Sequence, residues 1–308
     1  MPYDFSQYLV IGISSRALFN LNAEHDIFVD QGLEAYAKFQ LSHEDEPLAP
    51  GSGFPLVRSI LNLNNLVPGK RKTEVVVMSR NSAETSLRIF NSIDHHQLDI
   101  TRAALTGGGA MSPYLNAYGV DLFLSADEVD VQAAIDAGIA AARIYSVPEG
   151  HEAVPDQIRI AFDGDSVLFS DESERIYQQH GLDTFLKHER ENARKPMAEG
   201  PFAKLLKTLS YLQFDVELPR PPIRTALITA RNGPAHERVI RTLRAWNVRV
   251  DEAHFLGGAP KAPVLQAFKP HIFFDDQHLH LEEAAKSMPV AHVPYRKLKV
   301  GNMDNENL

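Results

Sequence analysis

The sequence predicts an α/β fold with a parallel β-sheet, organised as two similar halves. Short apolar runs with the composition of buried strands alternate along the chain with stretches of helical spacing, an order typical of a parallel sheet covered by helices. Several apolar runs end in acidic or hydroxyl side chains. Landmarks of the first half recur in the same order about 150 residues later, and such a regular offset predicts a repeated unit.

Length and composition exclude several classes of protein. The chain has 308 residues, enough for two domains, and its 44% hydrophobic and 23% charged residues are typical of a soluble globular protein. A formal net charge of −9 does not favour binding to nucleic acid or to an anionic membrane. Without cysteine there are no disulfides, thiolate metal sites or cysteine nucleophiles. The N-terminus lacks a signal-peptide pattern and no apolar run approaches a membrane span, so we expect a cytoplasmic protein.

Apolar and helical patterns predict the elements of the first half in order. The predicted strands cover residues 8–13, 73–78 and 121–124. The predicted helices cover residues 32–40, 83–93, 113–118 and 131–142, the last rich in alanine. Residues 42–53 are predicted to form a loop, and residues 106–109 a Gly-rich turn.

The second half repeats this order and adds a helical segment. Its predicted strands cover residues 158–162, 223–228 and 271–274, and its predicted short helices follow residues 232–234 and 261–262. Residues 171–222 have helical patterning and are predicted to form a cap that excludes water from a reactive site. The alternative is that this segment only packs against the sheet.

The two halves differ where polar chemistry would lie. The structural landmarks match at an offset of about 150 residues, as with Gly107 and Gly257 or Pro113 and Pro263. The charged residues of the second half have uncharged counterparts in the first: Ile13 and Ser15 for Asp163 and Asp165, Met111 for Lys261, and Ser125-Ala126 for Asp275-Asp276. We therefore predict that the second half carries the activity.

Two carboxylates follow the first strand of the second half. Asp163 and Asp165 flank Gly164 at the end of the apolar run 158–162, where open α/β sheets bind ligands. Two like charges so close together are costly unless a cation or a reacting phosphate shares the site. An ordinary Asp-Gly turn is the alternative.

Three further positions complete the candidate set. Thr229 ends a strand, and its hydroxyl could hold a phosphoryl oxygen, although a plain strand terminus is the alternative. Lys261 starts a short helix, where it opposes the helix dipole unless it faces an anion; a solvated surface lysine is the alternative. Asp275 and Asp276 follow a buried strand and offer the hard oxygen ligands that suit magnesium. His278 and His280 lack the partners of a zinc site.

This ordered set, Asp-x-Asp, Thr, Lys and Asp-Asp, resembles the haloacid dehalogenase superfamily of phosphohydrolases. The longer strings at residues 162–174, 229–232, 256–263 and 270–277, with the segment 11–19, resemble the cytosolic type I 5′-nucleotidases. The resemblance implies a Rossmann-like haloacid dehalogenase fold. Residues 1–150 would be a degenerate copy without catalytic residues, and residues 151–308 the catalytic half, with its small helical cap at about residues 171–222.

The resemblance also implies a function and roles for the site residues. It implies magnesium-dependent hydrolysis of nucleoside 5′-monophosphates, with Asp163 as nucleophile and Asp165 as general acid and base. The implied substrate ligands are Thr229, Ala230, Arg231 and Lys261. The implied magnesium ligands are Asp163, the backbone carbonyl of Asp165, and Asp275 or Asp276.

The preferred base and the oligomeric state stay open. Candidates for the base pocket are Phe202, Tyr211, Arg16 and Arg80, the two arginines on the expectation that the first half packs face to face with the second and forms one wall. Other functions compatible with the residues are a phosphatase or phosphotransferase acting on another small phosphate monoester, and a non-catalytic nucleotide-binding module.

Overall fold

The computed structural model describes residues 4–66, 71–148, 157–213 and 221–296. The strands are β1 (Leu9–Ser14), β2 (Thr73–Ser79), β3 (Arg102–Leu105), β4 (Leu122–Ser125), β5 (Ala141–Ile144), β6 (Ile158–Phe162), β7 (Ile223–Thr229), β8 (Glu252–Phe255), β9 (Ile272–Asp275) and β10 (Val290–His292). The helices are α1 (Ser15–Leu18), α2 (Asn22–Ser42), α3 (Phe54–Leu66), α4 (Leu87–His95), α5 (Ser112–Ala117), α6 (Glu128–Asp136), α7 (Glu172–Glu191), α8 (Ala203–Gln213), α9 (His236–Ala245), α10 (Ala262–Phe268) and α11 (His278–Ala284). Every strand predicted from the sequence is present, so the α/β fold class is confirmed.

All these strands form a single ten-stranded sheet in the order β3-β2-β1-β4-β5-β10-β9-β6-β7-β8. Neighbouring strands are parallel except β5 and β10, which pair antiparallel at the centre. Within each half the strands follow the same order, since β8-β7-β6-β9-β10 repeats β3-β2-β1-β4-β5. A duplicated origin agrees with this order but stays a prediction, and the predicted boundary near residue 150 lies outside the described residues.

Strands β5 and β10 pair antiparallel, and the other strands of each half run parallel to the β5 or β10 of that half. The strands of the two halves therefore point in opposite directions, and their carboxyl ends lie on opposite sides of the sheet. The halves therefore meet edge to edge, and the expectation that they pack face to face was wrong. Arg16 and Arg80 follow β1 and β2, so they lie at the edge opposite the ends of β6 and β7 and cannot form a wall of a site there. Arg80 instead forms an ion pair with Asp130 of α6.

The alanine-rich segment 131–142, predicted to form one helix, is divided between a helix and a strand. Helix α6 ends at Asp136, and Gly138 turns the chain with a φ of +84°, a conformation that glycine adopts without strain. Ala141 and Ala142 then lie fully buried in strand β5. Hydrogen bonds to β4 and β10 outweigh the helix preference of alanine. The β5–β10 pair is the one that joins the two halves.

The helical segment at 171–222 has a counterpart in the first half. Helices α7 and α8 occupy it in the second half, and α2 and α3 occupy the corresponding place in the first. Both α2 and α7 bend at a glycine, Gly32 and Gly181. The segment is therefore no insertion relative to the first half.

Only part of this segment resembles a cap. Helix α8 packs on β7 and buries most of its side chains, whereas α7 is largely exposed apart from Ser173, Phe185 and Glu189. Phe202, just before α8, is fully buried, with its ring centroid 4.9 Å from that of Phe274. It belongs to the core, and its expected place in a base pocket was wrong. Among the described residues, no helix has the length and apolar character needed to cross a membrane.

Candidate active site

Three parallel strands bring the predicted site residues together at one edge of the sheet. Strand β6 lies between β7 and β9 and leads into Asp163, while β7 ends at Thr229 and β9 at Asp275. The main-chain N–H of Asp163 donates to the carbonyl of Phe274 over 2.8 Å, which sets the first carboxylate beside the end of β9. Lys261, directly before α10, projects into the same edge.

Lys261 joins two of the carboxylates. Its Nζ donates to Oδ1 of Asp163 and to Oδ2 of Asp275, each over 2.7 Å, and all three residues are buried. Nδ1 of His280, on α11, lies 3.2 Å from Oδ2 of Asp275. The solvated lysine and the simple Asp-Gly turn therefore do not describe these residues, because a buried charge of either kind needs its partner.

Burial shapes the proton affinity of this cluster. It raises the pKa of Asp163 to about 7 against the charge of Lys261. Burial and the charge of Asp163 raise the pKa of Asp276 to about 8. For Asp275, the hydrogen bond from His280 and the charge of Lys261 outweigh burial, and its pKa lies below its ordinary value. The cluster has three carboxylates but a single ammonium group, which contacts only two of them, so near neutral pH it favours a further proton or cation.

The donor set fits a hard divalent cation. Carboxylate oxygens of Asp163, Asp275 and Asp276 all lie within 4.8 Å of one another, and all three residues are buried. Oδ1 of Asp276 is buried without a hydrogen-bond partner, while Oδ2 accepts a hydrogen bond of 2.5 Å from the hydroxyl of Tyr295. An oxygen-only set with a free buried oxygen is what magnesium prefers. Asp165 does not join this set through its side chain.

Thr229 lies against the turn between the two predicted catalytic carboxylates. Its side chain is buried, and its Oγ1 lies 3.3 Å from the position that a Cβ on Gly164 would take. Only glycine allows so close an approach without displacing the threonine. Ala230, the next residue, is exposed.

Asp165 is paired with an arginine, whereas Asp163 is paired with Lys261. The two oxygens of Asp165 accept hydrogen bonds of 2.6 and 2.8 Å from Arg231, whose Nη1 donates to Glu189 over 2.5 Å. The side chain of Arg231 is only 2% exposed, because it lies between Asp165 and helix α7. The family resemblance implies that Arg231 is a substrate ligand, whereas no motif of the sequence indicates a role for Glu189.

Some residues around the site carried no signal in the sequence. Tyr295 lies just after β10 and reaches Asp276, 19 residues before it in the chain, across the adjacent strand ends. Glu189 and Arg238 are buried charges within patterns that look like ordinary amphipathic helices. The spacing of charges on a single helix does not show which of them will be buried against another element.

Comparisons with known proteins identify the family of this chain. A model of the 5′-nucleotidase family matches residues 1–300 of the chain. Human cytosolic 5′-nucleotidase 1B is 40% identical over 299 residues, which cover 94% of this chain and 49% of the human protein. The chain thus spans about half the length of this relative. Every candidate site residue lies within the matched region.

Proposed function

The chain belongs to the 5′-nucleotidase family, as its motifs predicted, and from this premise we propose that it hydrolyses nucleoside 5′-monophosphates to a nucleoside and inorganic phosphate. The observation that carries the proposal is the buried cluster in which Lys261 lies 2.7 Å from both Asp163 and Asp275. A nucleophilic carboxylate, an ammonium group and further carboxylates at one strand edge are the groups that phosphoryl transfer needs.

In this proposal Asp163 is the nucleophile. One of its oxygens attacks phosphorus, the bond from phosphorus to the 5′-oxygen breaks, and an aspartyl-phosphate forms. Lys261 lies close enough to neutralise the charge that develops on the phosphoryl oxygens. The hydroxyl of Thr229 lies beside Gly164, where it can hold another phosphoryl oxygen, and the main chain of the next residue, Ala230, is a further candidate donor.

In this proposal Asp165 is the general acid and then the general base. In the first step its carboxyl group protonates the leaving 5′-oxygen as the ester bond breaks. In the second step the resulting carboxylate takes a proton from the water that attacks the aspartyl-phosphate, which releases phosphate and restores Asp163.

Magnesium fits the oxygen cluster, with Asp163, Asp275 and Asp276 as its side-chain ligands and the carbonyl of Asp165 as a main-chain ligand. When bound, the ion neutralises negative charge on the phosphate and on the carboxylates. The unpaired Oδ1 of Asp276 and the raised pKa of that carboxyl group are the features of this chain that support the assignment.

A substrate panel tests the proposal. Purified protein is incubated with magnesium and AMP, IMP, GMP, CMP, UMP or their deoxy forms, and with glucose 6-phosphate and glycerol phosphate as comparators, and phosphate release is measured. We expect release from at least one nucleotide that is well above the comparators and disappears in excess chelator. Faster release from a sugar phosphate would indicate a different phosphatase, and no release would reject the hydrolase.

A further inference from the structure

A buried ion-pair network connects helix α7 to Asp165. Arg231 donates to Asp165 from Nε and Nη2, over 2.8 and 2.6 Å, and to Glu189 of α7 from Nη1. Its guanidinium carbon also lies 5.4 Å from the ring centroid of Phe185, one turn before Glu189. The same face of α7 therefore holds Arg231 by charge and by contact with an aromatic ring.

Glu189 is itself fixed on its other side. Its carboxylate is fully buried and accepts hydrogen bonds of 2.8 Å from Oγ of Ser173 and from Nη1 of Arg238. Burial by itself would raise the pKa of Glu189, but the charge of Arg231 holds this pKa below its ordinary value. Glu189 is thus a rigid, ionised anchor for the guanidinium group.

Arg231 is poorly placed to bind a substrate directly. Its guanidinium group donates four hydrogen bonds, two to Asp165, one to Glu189 and one to the sulfur of Met197, and its side chain is 2% exposed. A bidentate pair fixes the plane of a carboxylate. A carboxyl group has about four lone-pair sites, so the two hydrogen bonds from Arg231 leave about two for other partners.

We propose that Arg231, held by Glu189 and Phe185 of α7, is a positioning residue that orients Asp165 for proton transfer to the leaving oxygen. The efficiency of that proton transfer then depends on how α7 packs against Arg231. This inference rests on the proposed hydrolysis, and it replaces the expected role of Arg231 as a substrate ligand.

The leaving group separates this role from a structural one. A nucleoside 5′-alkoxide needs a proton to leave, whereas p-nitrophenolate leaves without one. Both substrates form the same aspartyl-phosphate, and kcat/KM reports only the steps up to its formation. The experiment therefore measures kcat/KM for the best nucleotide of the panel and for p-nitrophenyl phosphate, on wild type, Arg231→Lys and Glu189→Gln. Arg231→Lys keeps the positive charge but loses the bidentate hydrogen bonds to Asp165.

We expect both variants to lose roughly 100-fold or more in kcat/KM on the nucleotide and less than about 10-fold on p-nitrophenyl phosphate. The ratio of the two values is taken on one sample, so a partly unfolded preparation does not change it. An unchanged ratio in Arg231→Lys, or faster nucleotide cleavage by this variant, would overturn the proposal. Wild type without activity on either substrate would instead reject the proposed hydrolysis.

Glu172→Gln is the matched control. Glu172 lies on the same helix and its Oε2 is 3.5 Å from Arg238, but it makes no contact with Arg231 and is 45% exposed. Its ratio should equal that of wild type. A shift as large as that of Glu189→Gln would show that any charge change on α7 has the effect, and would also overturn the proposal.

Discussion

Asp163 and Lys261 form a buried ion pair, with 2.7 Å between Oδ1 and Nζ, and Lys261 keeps a second carboxylate partner in Asp275. The pair links the proposed nucleophile to the group that would neutralise the phosphate. Because Lys261 has this second partner, the charge of Asp163 can be removed without leaving a buried ammonium group alone.

The first prediction concerns Asp163→Asn. The amide keeps the shape and an acceptor oxygen for Lys261 but cannot attack phosphorus, so turnover should fall by roughly 1,000-fold or more. The midpoint of thermal unfolding should stay equal or rise, since repulsion with Asp275 and Asp276 is relieved. Asp171→Asn, at a half-exposed carboxylate paired with Arg175, is the control and should keep full activity. Turnover near wild type in Asp163→Asn would reject the nucleophile assignment.

The second prediction concerns Tyr295→Phe. The hydroxyl of Tyr295 orients Asp276 through a 2.5 Å hydrogen bond, and losing such support typically weakens metal binding by about 10-fold or more. The magnesium concentration that half-saturates both activity and thermal stabilisation should rise accordingly, with kcat at saturating magnesium nearly unchanged. Tyr145→Phe removes a hydroxyl that contacts His278 over 2.8 Å, and should leave the magnesium titration as in wild type. Equal shifts in both variants would contradict the assignment.

The third prediction is a pH dependence of stability in chelator. Burial raises the pKa of Asp276 to about 8, from 3.8, so between these values the folded protein binds more protons than the unfolded chain. Its free energy of unfolding therefore falls as pH rises. The side chain at position 276 does not titrate in Asp276→Asn, so the stability of this variant relative to wild type should increase from about pH 5 to about pH 8, by on the order of 3–4 kcal/mol.

Asp163 titrates in both proteins, so the comparison reports Asp276 together with its electrostatic interaction with Asp163. His292, next to Asp276, has its pKa lowered by burial and contributes in the opposite direction, again in both. Denaturant unfolding at several pH values measures the difference. A difference that does not change with pH, or that shrinks as pH rises, would show that Asp276 is not held protonated in this way.

The fourth prediction concerns the aromatic core under the site. Phe202 is fully buried against Phe274, so Phe202→Ala should lower the free energy of unfolding by about 3–5 kcal/mol. Tyr211, on α8 and 72% exposed, is the control: Tyr211→Ala should change stability by less than about 0.5 kcal/mol. Urea unfolding measures both. A small loss for Phe202→Ala would mean that this residue does not belong to the core.

Local sequence predicted much of the fold and the candidate site. The apolar runs before Asp163 and Asp275, and the one ending in Thr229, have the composition of buried parallel strands, and such strands place their carboxyl ends at one edge. The prediction that Asp163, Asp275 and Asp276 come close together therefore needed no long-range information, and the structure brings them within 4.8 Å.

Other features depended on contacts between distant parts of the chain. Asp165 and Arg231 are 66 residues apart, and Arg231 and Glu189 are 42 apart, so no local pattern indicates that they pair. The alanine-rich run at Ala141 is helical by propensity and becomes a strand only because β4 and β10 offer it hydrogen bonds. That antiparallel pairing also decides that the two halves turn their strand ends to opposite edges. The sequence by itself thus determined which chemical groups stand at the strand ends, whereas the tertiary structure decided which of them face one another, because burial and pairing depend on the whole sheet.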